Sequence, residues 1–135
     1  MKRFAIALLF LLCSCTAFAN ITTETLVADC KDYVKAQDNG KTTYDSSTQA
    51  QAASRCIGYV KGFMDESQGE AFARSGSNIV LVGTWQNITA DQEIRVFVKY
   101  VVANPESLNK DAVFTLRESA DSAGLYKYHN INDKE

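Results

Sequence analysis

The sequence predicts a small all-α domain of four helices, with an irregular or short-strand connection ahead of the third. Three observations lead there. Apolar residues recur at steps of three and four along four separate stretches, as on the buried sides of amphipathic helices. Ser, Thr and Gln stand where such stretches begin, in the order that caps a helix start. Cys30 and Cys56 fall on the apolar sides of the first two stretches, so a bridge between them would staple those helices face to face.

A chain of 135 residues fits one domain. Residues 1–19 are set apart from it. Lys2 and Arg3 form a positive start, Phe4 to Leu12 an apolar run, and Ala17-Phe18-Ala19 a small-residue cleavage site, together the pattern of a secretory signal peptide. The run is too short to span a bilayer. A lipoprotein alternative exists, because Leu12-Cys13-Ser14-Cys15 resembles a lipid-attachment box with Cys15 as the anchored residue. Cleavage after Ala19 is the cleaner match. It leaves an exported domain, residues 20–135, expected in the periplasm and not inserted in the membrane. Losing Lys2 and Arg3 leaves 12 Lys and Arg against 16 Asp and Glu, a formal charge of −4. With no basic cluster to neutralise phosphates, a nucleic-acid partner is disfavoured.

The first helix is expected from about Thr23 to Lys35, capped by Thr22 or Thr23, with Leu26, Val27, Cys30, Tyr33 and Val34 facing inward. The segment from Gln37 to Ser47 has Asn39-Gly40, two serines and no apolar run, and reads as a polar loop with Tyr44 its one large residue. The second helix extends from Ser46 to about Phe72, opened by a Ser46–Gln49 capping box, with Ala52, Cys56, Tyr59, Val60 and Phe63 along one side. Gly58 and Gly62 lie one turn apart within it. Each is a poor helix former, by about 1 kcal/mol against alanine, so the pair is expected to admit close packing by another helix.

Ser75-Gly76-Ser77 breaks the pattern, and Ile79 to Val82 is a short β-branched run with no evident partner strand. Trp85 follows it. The third helix opens on a Thr89–Gln92 capping box, carries Ile94, Phe97, Val98, Val101 and Val102 inward, and stops at Asn104-Pro105. The fourth is expected from about Asn109 to Ser122, with Ala112, Val113, Leu116, Ala120 and Ala123 inward and Gly124 as its terminator. Residues 126–135 read as a polar, frayed tail, so the domain core is expected over about 23–125.

Once the leader is gone, Cys30 and Cys56 are the two cysteines of an exported chain, which suggests one disulfide closing 25 residues. The chain-entropy relation puts such a bridge at about 3.5 kcal/mol. The alternative is two buried thiols. A metal pair has no support, since His129 is the single histidine and lies far along the chain. No cofactor-binding motif and no nucleophile–base set is present. Asp65, Glu66 and Glu70 have the spacing for paired carboxylates, but at the end of a helix they read as solvated surface. These features describe an exported helical domain that binds rather than catalyses.

The order Cys30, Tyr33, then Cys56-Ile57-Gly58-Tyr59-Val60-Lys61-Gly62, then an apolar helix ending in Asn104-Pro105-Glu106, then Ala112-Val113 and a final short helix, resembles the Rap/Tai family. These are periplasmic immunity proteins of type VI secretion systems, and the resemblance covers about Leu26 to Leu125. It implies an all-helical homodimer, without catalysis or cofactor, that binds a peptidoglycan amidase toxin and blocks its active-site cleft. It implies that Cys30 and Cys56 form the bridge and that Gly58 and Gly62 are helix-packing positions. The sequence departs from many members in lacking a second cysteine pair. Trp85-Gln86-Asn87 and Gly124-Leu125-Tyr126 occupy those regions, and the usual proline before the third helix is also missing.

An inhibitor of a cleft needs a protruding segment with aromatic anchors. Tyr44 in the first loop, and Trp85 with Asn87 ahead of the third helix, are the candidate toxin contacts. Competing functions are a small periplasmic chaperone, a general envelope-binding module, and an envelope enzyme working through Asp65 and Glu66.

Overall fold

The computed structural model describes residues 21–40, 44–73 and 80–130; the expected leader, with Cys13 and Cys15, lies outside them. Four α-helices make up the body: α1 Thr23–Asp38, α2 Ser47–Ser67, α3 Ala90–Ala103 and α4 Ala112–Ser122. A 3-10 turn, Pro105–Asn109, joins α3 to α4. Three short strands, β1 Ala71–Ala73, β2 Val80–Trp85 and β3 Tyr126–Asn130, form an antiparallel sheet with β2 in the middle. None of the described helices is long and apolar enough to cross a membrane.

The helices start where the caps place them. Thr22 accepts the Thr25 N–H, and the neighbouring Thr23 is buried with its hydroxyl 2.8 Å from that of Thr115, locking the start of α1 to α4. Ser46 accepts the Gln49 N–H, but the Gln49 side chain turns back to the Asp45 N–H, one residue earlier than the expected box. At Thr89 the box is complete in both directions. Asp111 caps α4 through the Val113 N–H, so this helix begins later than Asn109. The core gathers Leu26, Val27, Cys30 and Tyr33 of α1 with Cys56, Val60 and Phe63 of α2. Ala53 of α2, Ile94, Phe97 and Val101 of α3, and Ala112 and Leu116 of α4 complete it.

Several expectations need correction. α2 ends at Ser67, not at Phe72: Gln68 is extended, and Gly69 takes a φ of 76°, a left-handed turn that favours glycine. Its N–H then binds the Gly83 carbonyl at 2.9 Å, directing the chain into β1. The β-branched run does have partners on both sides, with Ala71 opposite Val82 and Trp85 opposite Tyr126. The described part of the supposed tail is therefore β3, turned out of α4 by Gly124 at a φ of 68°. Val102 is 66 % exposed and Val113 38 % exposed, so neither belongs to the core. Ala123 is exposed as well. The apolar stripes of α3 and α4 are narrower than their composition suggested.

Candidate functional site

α1 and α2 are fixed to each other covalently. Cys30 and Cys56 are disulfide-bonded with Cα atoms 5.0 Å apart, and both are fully buried. One residue back on each helix, the Arg55 guanidinium grips the Asp29 carboxylate in two parallel hydrogen bonds. Planar, two-pronged contacts of this kind fix orientation as well as distance.

Among the described residues, no other helix packs against Gly58 and Gly62. Both are exposed, and a Cβ at either position would meet nothing within 4 Å. The helical period explains this: they lie on the side of α2 opposite Cys56, Val60 and Phe63.

The three candidate contacts fall in different environments. Trp85 ends β2 with its ring half-buried, edge-on to Phe63 at 5.8 Å and to Tyr126 at 4.9 Å. Its indole N–H lies 3.1 Å from both the Met64 carbonyl and the Ser67 hydroxyl, so the ring ties the sheet to the end of α2. Tyr44 is half-buried and packs on the core. Asn87 is exposed, in the turn between β2 and α3, at a φ of 55°. Asparagine tolerates that left-handed geometry better than most side chains. Beside this turn a groove runs between Ile57, Lys61 and Met64 of α2 and Ile88.

Pattern reasoning missed a second groove on the other flank of α2, where α2, α4 and β3 meet around Arg117. The Arg117 Cζ is 6.0 Å from the Phe63 ring centroid and 5.8 Å from that of Tyr126. Its guanidinium pairs with Glu70 at 2.5 Å and reaches the Tyr128 hydroxyl at 3.4 Å. Tyr126 in turn donates its hydroxyl to the Ser67 carbonyl at 2.6 Å and stands edge-on to Tyr128 at 5.3 Å. Arginine flanked by aromatic faces gains cation–π attraction and is held in one orientation. Phe63, Glu66, Ser67, Glu70, Val113 and Arg117 line this groove.

A buried carboxyl was also missed. Glu93 in α3 is fully buried, with Oε1 3.1 Å from the Ser119 hydroxyl of α4 and Oε2 without a hydrogen-bond partner. Burial pushes its pKa up to about 8, against the opposing pull of Ser119. At neutral pH the side chain is therefore mostly an uncharged acid, whose Oε1 accepts from the Ser119 hydroxyl. Neither Asp65 nor Glu66 is buried; both lie on the outside of α2. Among the described residues no group of three or more His, Cys, Asp and Glu is placed to hold a metal ion.

These parts describe a cross-linked helical body with grooves on both flanks of α2. The family model of the Rap1a immunity proteins matches residues 22–123. No curated protein and no solved structure matches the chain.

Proposed function

This chain belongs to the Rap1a immunity protein family, and on that premise we propose that it is a periplasmic inhibitor of a toxic type VI effector, a peptidoglycan amidase whose active-site cleft it covers. The observation that carries this proposal is the extent of the family match. It begins at Thr22, the cap of α1, and ends at Ala123, just past α4, so it takes in the whole helical body. The leader pattern of residues 1–19 supports export. A disulfide at the centre of the fold suits an oxidising compartment.

The inhibitor performs no turnover in this proposal. It works by steric cover, which requires a surface that keeps its shape when the enzyme is bound. The Cys30–Cys56 bridge, the Asp29–Arg55 grip and the Trp85 tie supply that rigidity. The protein acts as a homodimer, and the exposed Gly58 and Gly62 side of α2 offers open space for a helix of a second chain.

The test is survival of cells that export the neighbouring-gene amidase effector to the periplasm, with and without the full chain. Protection that disappears when residues 1–19 are deleted is the expected outcome. Lysis that proceeds unchanged in the presence of the exported chain would refute it.

A further inference from the structure

Three of the exposed large apolar side chains stand on the elements that meet at the Arg117 groove, and one of them, Val113, lines it. Phe114 of α4 is 65 % exposed, Val113 beside it 38 %, and Tyr128 of β3 39 %. Arg117 lies three residues beyond Phe114 and four beyond Val113, so all three share the outward part of α4, and Arg117 touches Tyr128 directly. Aromatic residues and arginine in a pre-set geometry are the side chains over which binding energy concentrates in protein interfaces. A phenylalanine this exposed in a small domain marks a surface that is covered in use.

Charge says what covers it. Glu66 and Glu70 both line the groove. Among the described residues that line it, Arg117 is the one cation, and it is already paired with Glu70. Glu66, exposed near the end of α2, forms no ion pair among the described residues, so the described lining of the groove keeps an uncompensated negative charge beside its apolar rim. The complement is a cation next to an apolar side chain.

We propose that the face formed by Phe114, Val113, Arg117 and Glu66 is the docking surface for the effector enzyme, and that it takes a segment presenting a lysine or arginine beside an apolar side chain. The cation pairs with Glu66, and the apolar side chain lies between Val113 and the Phe63 floor, against Phe114. Arg117, clamped by Phe63, Tyr126 and Glu70, holds the wall of the groove in place before binding. This inference rests on the immunity function proposed above and names the surface that performs it.

The experiment is titration of the full exported chain with the catalytically inactivated neighbouring-gene amidase, comparing wild type with Phe114→Ala, Glu66→Lys and Val102→Ala. Val102 is equally exposed but lies on α3, away from the groove. Thermal melting of each variant reports whether it folds, and none of the three residues is buried. Phe114→Ala and Glu66→Lys are each expected to raise Kd by about tenfold or more, with Val102→Ala within about twofold. The Glu66→Lys loss should shrink as salt is raised, as expected for a lost charge pair. Wild-type affinity in both groove variants would overturn the docking surface and leave the immunity function standing. A change in self-association with unchanged effector affinity would assign the face to a second copy and equally overturn the proposal. Failure of the wild-type chain to bind the effector at all would remove both.

Discussion

Arg55 holds Asp29 by two prongs, Nη2 to Oδ1 at 2.8 Å and Nε to Oδ2 at 2.9 Å, directly beside the disulfide on both helices. The covalent bond fixes one point of contact between α1 and α2. The ion pair, one residue away on each helix, opposes rotation about that point. The two sides are unequal: the Asp29 side chain is only 9 % exposed, whereas that of Arg55 is 57 % exposed.

This asymmetry gives a directional prediction. Arg55→Ala strands a nearly buried carboxylate, while Asp29→Ala leaves an arginine free to turn into water. Arg55→Ala should therefore lower the urea midpoint more than Asp29→Ala does. Equal losses, or the reverse order, would contradict this role for the pair. Arg55→Lys keeps the charge but not the fork, and should fall between wild type and Arg55→Ala.

Removing the bridge itself, by Cys30→Ala with Cys56→Ala, should cost about 3.5 kcal/mol of unfolding free energy in the chain-entropy relation for a loop of this length. The same loss should appear in wild type on adding reductant and be absent in the double variant. Urea unfolding with and without reductant measures both.

Glu93 gives the stability a pH dependence. The folded chain keeps the carboxyl proton up to about pH 8, whereas the unfolded chain releases it near the ordinary value of 4.5. The unfolded state thus binds fewer protons between these values, so stability is greatest below the unfolded pKa and falls as pH rises through the window. The slope is at most about 1.4 kcal/mol per pH unit, and it flattens above the folded pKa. Glu93→Gln, uncharged at every pH and still able to accept from Ser119 through its amide oxygen, should abolish that part of the slope. A variant whose stability still falls as steeply as wild type between pH 5 and pH 8 in ~1-unit steps would contradict the assignment.

Gly83 is needed for close approach rather than for its backbone angles. It is buried in β2, and a Cβ there would overlap the Tyr126 hydroxyl that donates to the Ser67 carbonyl. Gly83→Ala should cost about 1–3 kcal/mol, as over-packing usually does. Tyr126→Phe loses a buried hydrogen bond, about 1 kcal/mol. Because the second change removes the nearest of the three Tyr126 atoms the first one strikes, leaving the overlap with the ring carbons, the double variant should lose somewhat less than the sum. Strict additivity in urea unfolding would contradict the contact.

The helices were legible because their signals are local. The caps at Thr22, Ser46 and Thr89 and the stop at Pro105 each act within one turn, and the stripe through Leu26, Cys30 and Tyr33 repeats at the helical period. The disulfide followed from two cysteines on two such stripes. β3 was not legible. Of its five residues only Tyr126 is buried, so it shows no alternation, and it is a strand because β2 lies beside it. The Arg117 groove draws on Phe63, Glu70, Arg117 and Tyr126, residues far apart in sequence that no spacing rule connects. Glu93 did carry a signal. It stands four residues before Phe97 and eight before Val101, on the buried side of α3, although an acidic residue in a first helical turn ordinarily reads as solvated. Gly58 and Gly62 read as helix-packing positions, but the phase that puts Cys56 and Val60 inward turns both glycines outward.

The most direct measurement is the amidase activity of the purified neighbouring-gene effector on peptidoglycan, titrated with the disulfide-bonded chain. Inhibition by cleft cover predicts that cleavage falls in proportion to added chain and ends near one inhibitor chain per enzyme. Cleavage that continues at its full rate in an excess of folded chain would contradict it.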